Sequence, residues 1–167
     1  MEIYTIGHSN VPLSDFLDLL EKHKIGSVVD VRSRPVSKYA QHYNKGMIDH
    51  YLKTAGFGYH FFSDEEVGNI LGGFPKDPEC YEHDVVSYES VRGRRWFQEA
   101  LTELMSYAKD RRVALMCAEE NPYQCHRHCL LTQSLLARGV NVWHIRGDGS
   151  LEKAAKDVKQ ASLTSFF

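Results

Sequence analysis

Apolar positions along the chain change their period repeatedly, and each change marks an element. Ile3 to Ile6 is a short β-type run, followed by Gly7, His8 and Ser9. From Pro12 to Lys24, the residues Phe16, Leu17, Leu19 and Leu20 recur at the spacing of one helix face, and Gly26 ends that helix. Ser27-Val28-Val29-Asp30-Val31 reads as a buried strand, and the basic, turn-rich stretch Arg32 to Lys45 as a loop. A helix from about Gly46 to Ala55 and a strand from Tyr59 to Phe62 follow. Residues 63–90 have little periodicity; they hold Leu71-Gly72-Gly73 and two prolines. A structureless insertion of that length in a compact domain is either functional or misread.

Helical spacing returns over Arg94 to Lys109, through Trp96, Leu101, Leu104 and Tyr107. Val113 to Met116 is a strongly apolar strand that runs into Cys117-Ala118-Glu119-Glu120-Asn121-Pro122, where the chain must turn. Gln124 to Arg138 reads as a helix closed by Gly139, a residue suited to the left-handed stop position. Val140 to Ile145 is the last strand, Arg146 to Gly149 a turn, and Leu151 to Lys159 a short, highly charged helix. Alternating strands and helices predict an α/β fold, a mainly parallel sheet flanked by helices in a three-layer, Rossmann-like arrangement. The pattern places a single α/β domain over residues 1–150 and a charged helix with a tail over 151–167.

At 167 residues the chain is long enough for one domain with a real core, and 43% hydrophobic with 25% charged residues is globular composition. A net charge of -2 excludes a uniformly basic nucleic-acid-binding surface but leaves room for a local basic cleft. The start MEIYTIGHSN lacks the basic and apolar regions of a signal peptide, and no run approaches the roughly 20 apolar residues that cross a bilayer. Of the four cysteines, Cys117, Cys125 and Cys129 crowd one segment while Cys80 stands apart. That is not the dispersed pattern of a secreted disulfide scaffold. It suggests a cytoplasmic protein with a metal site, a reactive thiol or plain packing.

In a parallel sheet, ligands bind beyond the carboxyl ends of the strands. His8 follows the first strand, Arg32 and Arg34 the second, Cys117 and Glu119 the third, and His144 and Arg146 stand at the last. The spacing puts Cys125, His126 and Arg127 in the first turn of a helix, where free N–H groups and the dipole favour a thiolate or an anion. His8, Cys117, Glu119 and Cys125 are therefore the candidate catalytic groups. Arg32, Arg34 and Arg127 are the candidate anion-binding groups, unless they serve as ion-pair partners of Asp30 and Glu119. Cys129 reads as core. Seven residues separate Cys117 from Cys125, unlike the C-x-x-C of a structural zinc site; His126 and His128 stand nearby, and a metal assembled with His8 remains open. No P-loop, dinucleotide-binding glycine pattern or H-E-x-x-H motif occurs, and a phosphatase-type loop is missing because Cys125 and Arg127 are two apart.

Thr5-Ile-Gly-His8-Ser9, Val29-Asp30-Val31-Arg32-Ser33-Arg34-Pro35, Leu71-Gly72-Gly73 and Cys117-Ala-Glu-x-x-Pro122-x-x-Cys125-His126-Arg127 together resemble the "domain of unknown function 488" family, over about residues 1 to 146. That resemblance implies that these residues form one site; the family has no settled activity, so it supplies no reaction. The tail, Gln160-Ala-Ser-Leu163-Thr-Ser-Phe166-Phe167, resembles a PCNA-interacting peptide: a glutamine, an aliphatic residue and paired aromatics at the required spacing. Leu163, Phe166 and Phe167 on one helical turn would plug an apolar pocket, with Gln160 in a polar slot. The alternative docks them on the chain's own core. Sliding clamps of this type imply an archaeal source for a chain of a prokaryotic family. The expectation is a DNA- or nucleotide-processing enzyme or accessory factor recruited to a PCNA-type sliding clamp. A non-catalytic clamp-binding regulator and a metal-dependent small-molecule enzyme are the alternatives.

Overall fold

The computed structural model describes residues 1–158, so Gln160, Leu163, Phe166 and Phe167 lie outside the described residues. Strands β1 (Glu2–Gly7), β2 (Ser27–Asp30), β3 (Gly58–His60), β8 (Val113–Cys117), β9 (Asn141–Ile145) and β10 (Leu151–Lys153) form one sheet in the order β10-β9-β1-β8-β2-β3. All neighbours are parallel except β10, which runs antiparallel to β9. Two short hairpins, β4 (Ser63–Asp64) with β5 (Gly68–Asn69) and β6 (Tyr81–Glu82) with β7 (Val85–Val86), stand outside this sheet.

The period-2 alternation of the strands separates two cores. Val28, Ala114, Met116, Tyr4 and Ile6 face α1 (Leu13–Lys22) and α2 (Lys45–Thr54), through Phe16, Leu20, Ile48 and Leu52. Val29, Val113, Leu115, Ile3 and Val142 face α4 (Arg95–Ala108) and the helical segment ending in α5 (Gln133–Ala137), through Phe97, Leu104, Leu130, Leu131 and Leu135. These side chains are at most 3% exposed, so each large one contributes roughly 1.5–3 kcal/mol by leaving water. The result is the three-layer α/β arrangement expected from the alternation.

Several local expectations change. The left-handed position that follows α1 is Lys24, at φ 54°, and not Gly26. Residues 151–153 are not a helix: the open edge of β9 offers unpaired backbone groups, and Leu151, Glu152 and Lys153 pair with Ile145, His144 and Trp143. That ladder outweighs the helix preference of a charged run too short to nucleate alone. The helix expected from Gln124 begins at Arg127, as a π-helical turn over Arg127–Thr132 that leads into α5. Gly139, at φ 80°, does close it.

Residues 63–90 are not structureless. Besides the two hairpins they hold a 3-10 turn at Pro78–Cys80, capped by Asp77, and α3 (Tyr88–Gly93), capped by Ser87. Asp77 also accepts from Trp96 Nε1 at 2.9 Å and Arg94 Nε at 2.7 Å, which ties the insertion to α4. No described helix is long and apolar enough to cross a membrane.

Candidate functional site

β1 and β8 are adjacent and parallel, yet β1 leads to α1 on one face and β8 to the α5 segment on the other. Divergence of that kind opens a crevice at the carboxyl ends of the two strands. The β1–β8 ladder continues past the strands, with His8 N donating to Cys117 O at 2.9 Å and Ser9 N to Ala118 O at 2.8 Å. The loop after β8 therefore lies directly on Gly7. A Cβ there would sit 1.8 Å from the Glu119 carbonyl oxygen, so only glycine fits.

Cys117 ends β8, and the chain returns through a 3-10 turn at Pro122–Gln124 to deliver Cys125. Cys125 is extended, at φ -137° and ψ 148°, and so precedes the helix instead of sitting in its first turn. Its sulfur lies 2.6 Å from Cys117 Sγ and 3.4 Å from the Arg127 backbone nitrogen, which donates to it. Cys117 Sγ also stands 2.7 Å from Glu119 Oε2, to which it donates. The Cys117 contact, aided by His126 and against burial, holds the Cys125 thiol below its usual range. The same contact and burial push the Cys117 thiol well up. Burial works to raise Glu119, but hydrogen bonds from Cys117, the backbone and Cys125 outweigh it and leave the carboxyl below its usual range.

His126 completes the cluster. Its Nδ1 is 3.7 Å from Cys125 Sγ, and its Nε2 is 2.9 Å from Val31 O and 3.2 Å from Leu71 O. Gly73 packs on this ring, where a Cβ would approach to 2.9 Å, and Gly72 packs on Ser33 in the same way. The paired glycines of Leu71-Gly72-Gly73 thus bring the insertion against the strand ends. Asn69 fastens it there, donating from Nδ2 to the carbonyls of Asp30 and Arg32.

Above the cluster opens a cavity of about 1230 Å³, walled on one side by the insertion. Cys117, Glu119 and His126 line its floor, with Arg32, Arg34, Phe74, Lys76 and His83 around it. Arg34, Lys76 and Phe74 are exposed on it.

The candidate residues divide into two groups. Cys117, Glu119 and Cys125 meet in the cluster, and Arg34 lines the cavity. Arg32 lines it as well, but its guanidinium is already forked on Asp30, at 2.9 and 2.7 Å, with Tyr59 donating to the same carboxylate. His8 stacks on Tyr43 at 4.3 Å, donates from Nδ1 to Ser9 O and accepts at Nε2 from Arg32. With both nitrogens engaged and burial pushing its pKa down to about 4, His8 props up Arg32 and offers no free base to the cavity. Arg127 is fully buried; it donates to the carbonyl oxygens of Glu119 and Glu120 at 2.8 and 2.9 Å and holds the loop from behind. His144 lies within β9 and joins Thr5 and His128, while Arg146 pairs with Glu120 and Glu152, so neither reaches the cavity. Cys80 is in the core, and Cys129 is half-buried beside the Tyr123 carbonyl.

Sequence reading missed Lys76, Phe74 and Asn69, which sit in the least periodic part of the chain. The glycine pair was the available signal. Sequence reading weighs His126 only as a neighbour of a metal site and places His8 among the catalytic groups instead, although His126 stands inside the cysteine motif.

The family model described as "Domain of unknown function DUF488" matches residues 12–133. No curated protein and no solved structure matches the chain.

Proposed function

We propose, for a chain that belongs to the DUF488 family, that the cavity binds a nucleotide or a nucleotide unit of DNA. The cluster of Cys117, Glu119, Cys125 and His126 then processes it. One observation carries this reading: exposed Arg34, Lys76 and Phe74 share a single large cavity with the polar cluster. Arginine and lysine recognise phosphate, and an exposed aromatic ring offers a stacking face for a base. Asp84 and Glu119 in the same cavity disfavour a polyanion along its whole length, which suits one nucleotide better than a duplex.

The C-terminal peptide Gln160, Leu163, Phe166 and Phe167 would bring this activity to a PCNA-type sliding clamp of the archaeal kind. Support for that recruitment is the spacing of the four anchors. Calorimetry with nucleoside monophosphates and short single-stranded DNA tests the cavity. The double substitution R34A/K76A should weaken binding at least about tenfold, and F74A by a comparable factor, as stacking is worth ~1–3 kcal/mol. Affinity indifferent to all three would remove the cavity from consideration. Clamp binding should vanish in F166A/F167A; an unchanged dissociation constant would leave the tail without this role.

A further inference from the structure

Cys117, Cys125 and His126 bring three donor atoms within 4.8 Å of one another. We infer that they hold a zinc-class divalent ion whose remaining coordination position opens into the cavity. Any substrate of that ion rests on the nucleotide reading above; the ion itself does not.

Two thiolates and one imidazole form a donor set for zinc, and three protein ligands with one open position are the mark of a catalytic rather than a structural site. The imidazole is oriented for it. Nε2 faces two carbonyl oxygens, of Val31 and Leu71, which can only accept, so Nε2 carries the proton. Nδ1 is left with its lone pair directed at the cysteines. A carbonyl behind a histidine is the usual device that fixes a metal-binding tautomer. Gly73, pressed on the ring, keeps it in place.

Distances agree. The 3.7 Å between Cys125 Sγ and His126 Nδ1 is close to the edge of a tetrahedron built on Zn–S ~2.3 Å and Zn–N ~2.0 Å. The sulfurs, now 2.6 Å apart, would open to about 3.8 Å, a change within reach of side-chain torsion. Their supports are firm: Cys117 is anchored in a central strand and Cys125 N donates to Pro122 O. Cys117 and His126 line the cavity whereas Cys125 does not, so the uncovered side of the set faces the open space. Glu119 stands beside the set, 2.7 Å from the Cys117 sulfur, and it too lines the cavity. If an ion is held there, Glu119 would be the carboxylate beside it able to take a proton.

The test uses the full chain, reduced and purified without chelator. Elemental analysis should find about one equivalent of a zinc-class metal per chain. Titration of the stripped protein with Co²⁺ should produce sulfur-to-cobalt charge transfer and tetrahedral ligand-field bands. C117S, C125S and H126N should each weaken Co²⁺ at least about 100-fold, more than loss of an outer-shell partner costs. C80S and C129S should bind as the parent does. Should the cysteine variants fail to fold, thiol titration of the parent chain gives the answer, because bound metal should slow the reaction of two thiols relative to the chelated chain. Absence of stoichiometric metal and of cobalt bands in reduced protein would overturn the inference, as would unaltered binding in C117S and C125S. R34A/K76A should keep its metal whether or not it binds nucleotides, so the two readings fail separately.

Discussion

At the scale of single residues, the site depends on close backbone approach and on which polar atoms are already committed. Gly7 lets the Glu119 carbonyl lie where a Cβ would be, and the clash falls on main chain that cannot swing aside. Gly7→Ala should therefore destabilise the protein by about 3 kcal/mol or more, read as a lower urea midpoint with unchanged slope. A midpoint within experimental error of the parent would show that the loop is looser than its contacts imply. Gly73→Ala meets the root of a held side chain, His126 Cγ and Cβ. It should displace His126 and so lower cobalt affinity as well as stability. Arg127 commits Nη2 to the loop carbonyls, while its buried Nε and Nη1 have no partner among the described residues. Arg127→Met keeps the apolar stem but frees the carbonyls of Glu119 and Glu120, and should cost on the order of 1–3 kcal/mol.

At the scale of elements, the insertion over residues 63–90 acts as a wall whose hinge-pin is Asp77. The hydrogen bond from Trp96, against the pull of burial and with help from the Glu79 backbone and Arg94, keeps its carboxyl below the usual range. Asp77→Ala should release the 3-10 turn from α4 and redden the Trp96 emission, while the sheet and far-ultraviolet dichroism stay as they are. Unmoved fluorescence would mean that the hairpins hold the wall without this anchor. The π-helical turn at Arg127–Thr132 is the second element that departs from regularity. Thr132 Oγ1 donates to Arg127 O at 2.7 Å, and both His128 N and Cys129 N donate to Cys125 O. Turns of this kind recur at functional sites because the added residue re-aims side chains. Here Arg127 faces the loop behind the site, while His128 turns to His144.

For the whole molecule, acid is the informative perturbation. Burial holds His8 at about 4 and His144 at about 3, both below the 6.5 of an ordinary imidazole. Below that ordinary value the unfolded chain takes up protons that the folded chain refuses, so stability is present at neutral pH and is lost as pH falls toward the folded values. Glu120, held at about 2 by Arg146 and the Gly147 backbone, adds a loss of the same sign at lower pH. The unfolding free energy from urea titration should drop steadily between pH 7 and pH 4, by on the order of 2 kcal/mol for His8 alone. H8N and H144N should each flatten that slope. A midpoint independent of pH over the range would contradict the buried, neutral state of both rings.

Hydrophobic period alone determined the alternation of strands and helices, the three-layer fold and the strand ends where polar residues gather, because burial of one face is a local property of the pattern. The cysteine motif and the glycine pair were equally visible. Tertiary structure alone decided which of those polar groups share a space. His8 and Arg32 turned out to be spent on Ser9 and Asp30 and Arg127 to lie behind the loop, while His126, Lys76 and Phe74 reached the cavity. Pairing of Leu151–Lys153 with β9 was likewise hidden, since an open strand edge is supplied by residues distant in the chain. Hydrogen-bond partners and cavity walls are contacts between remote segments, and no local period encodes them.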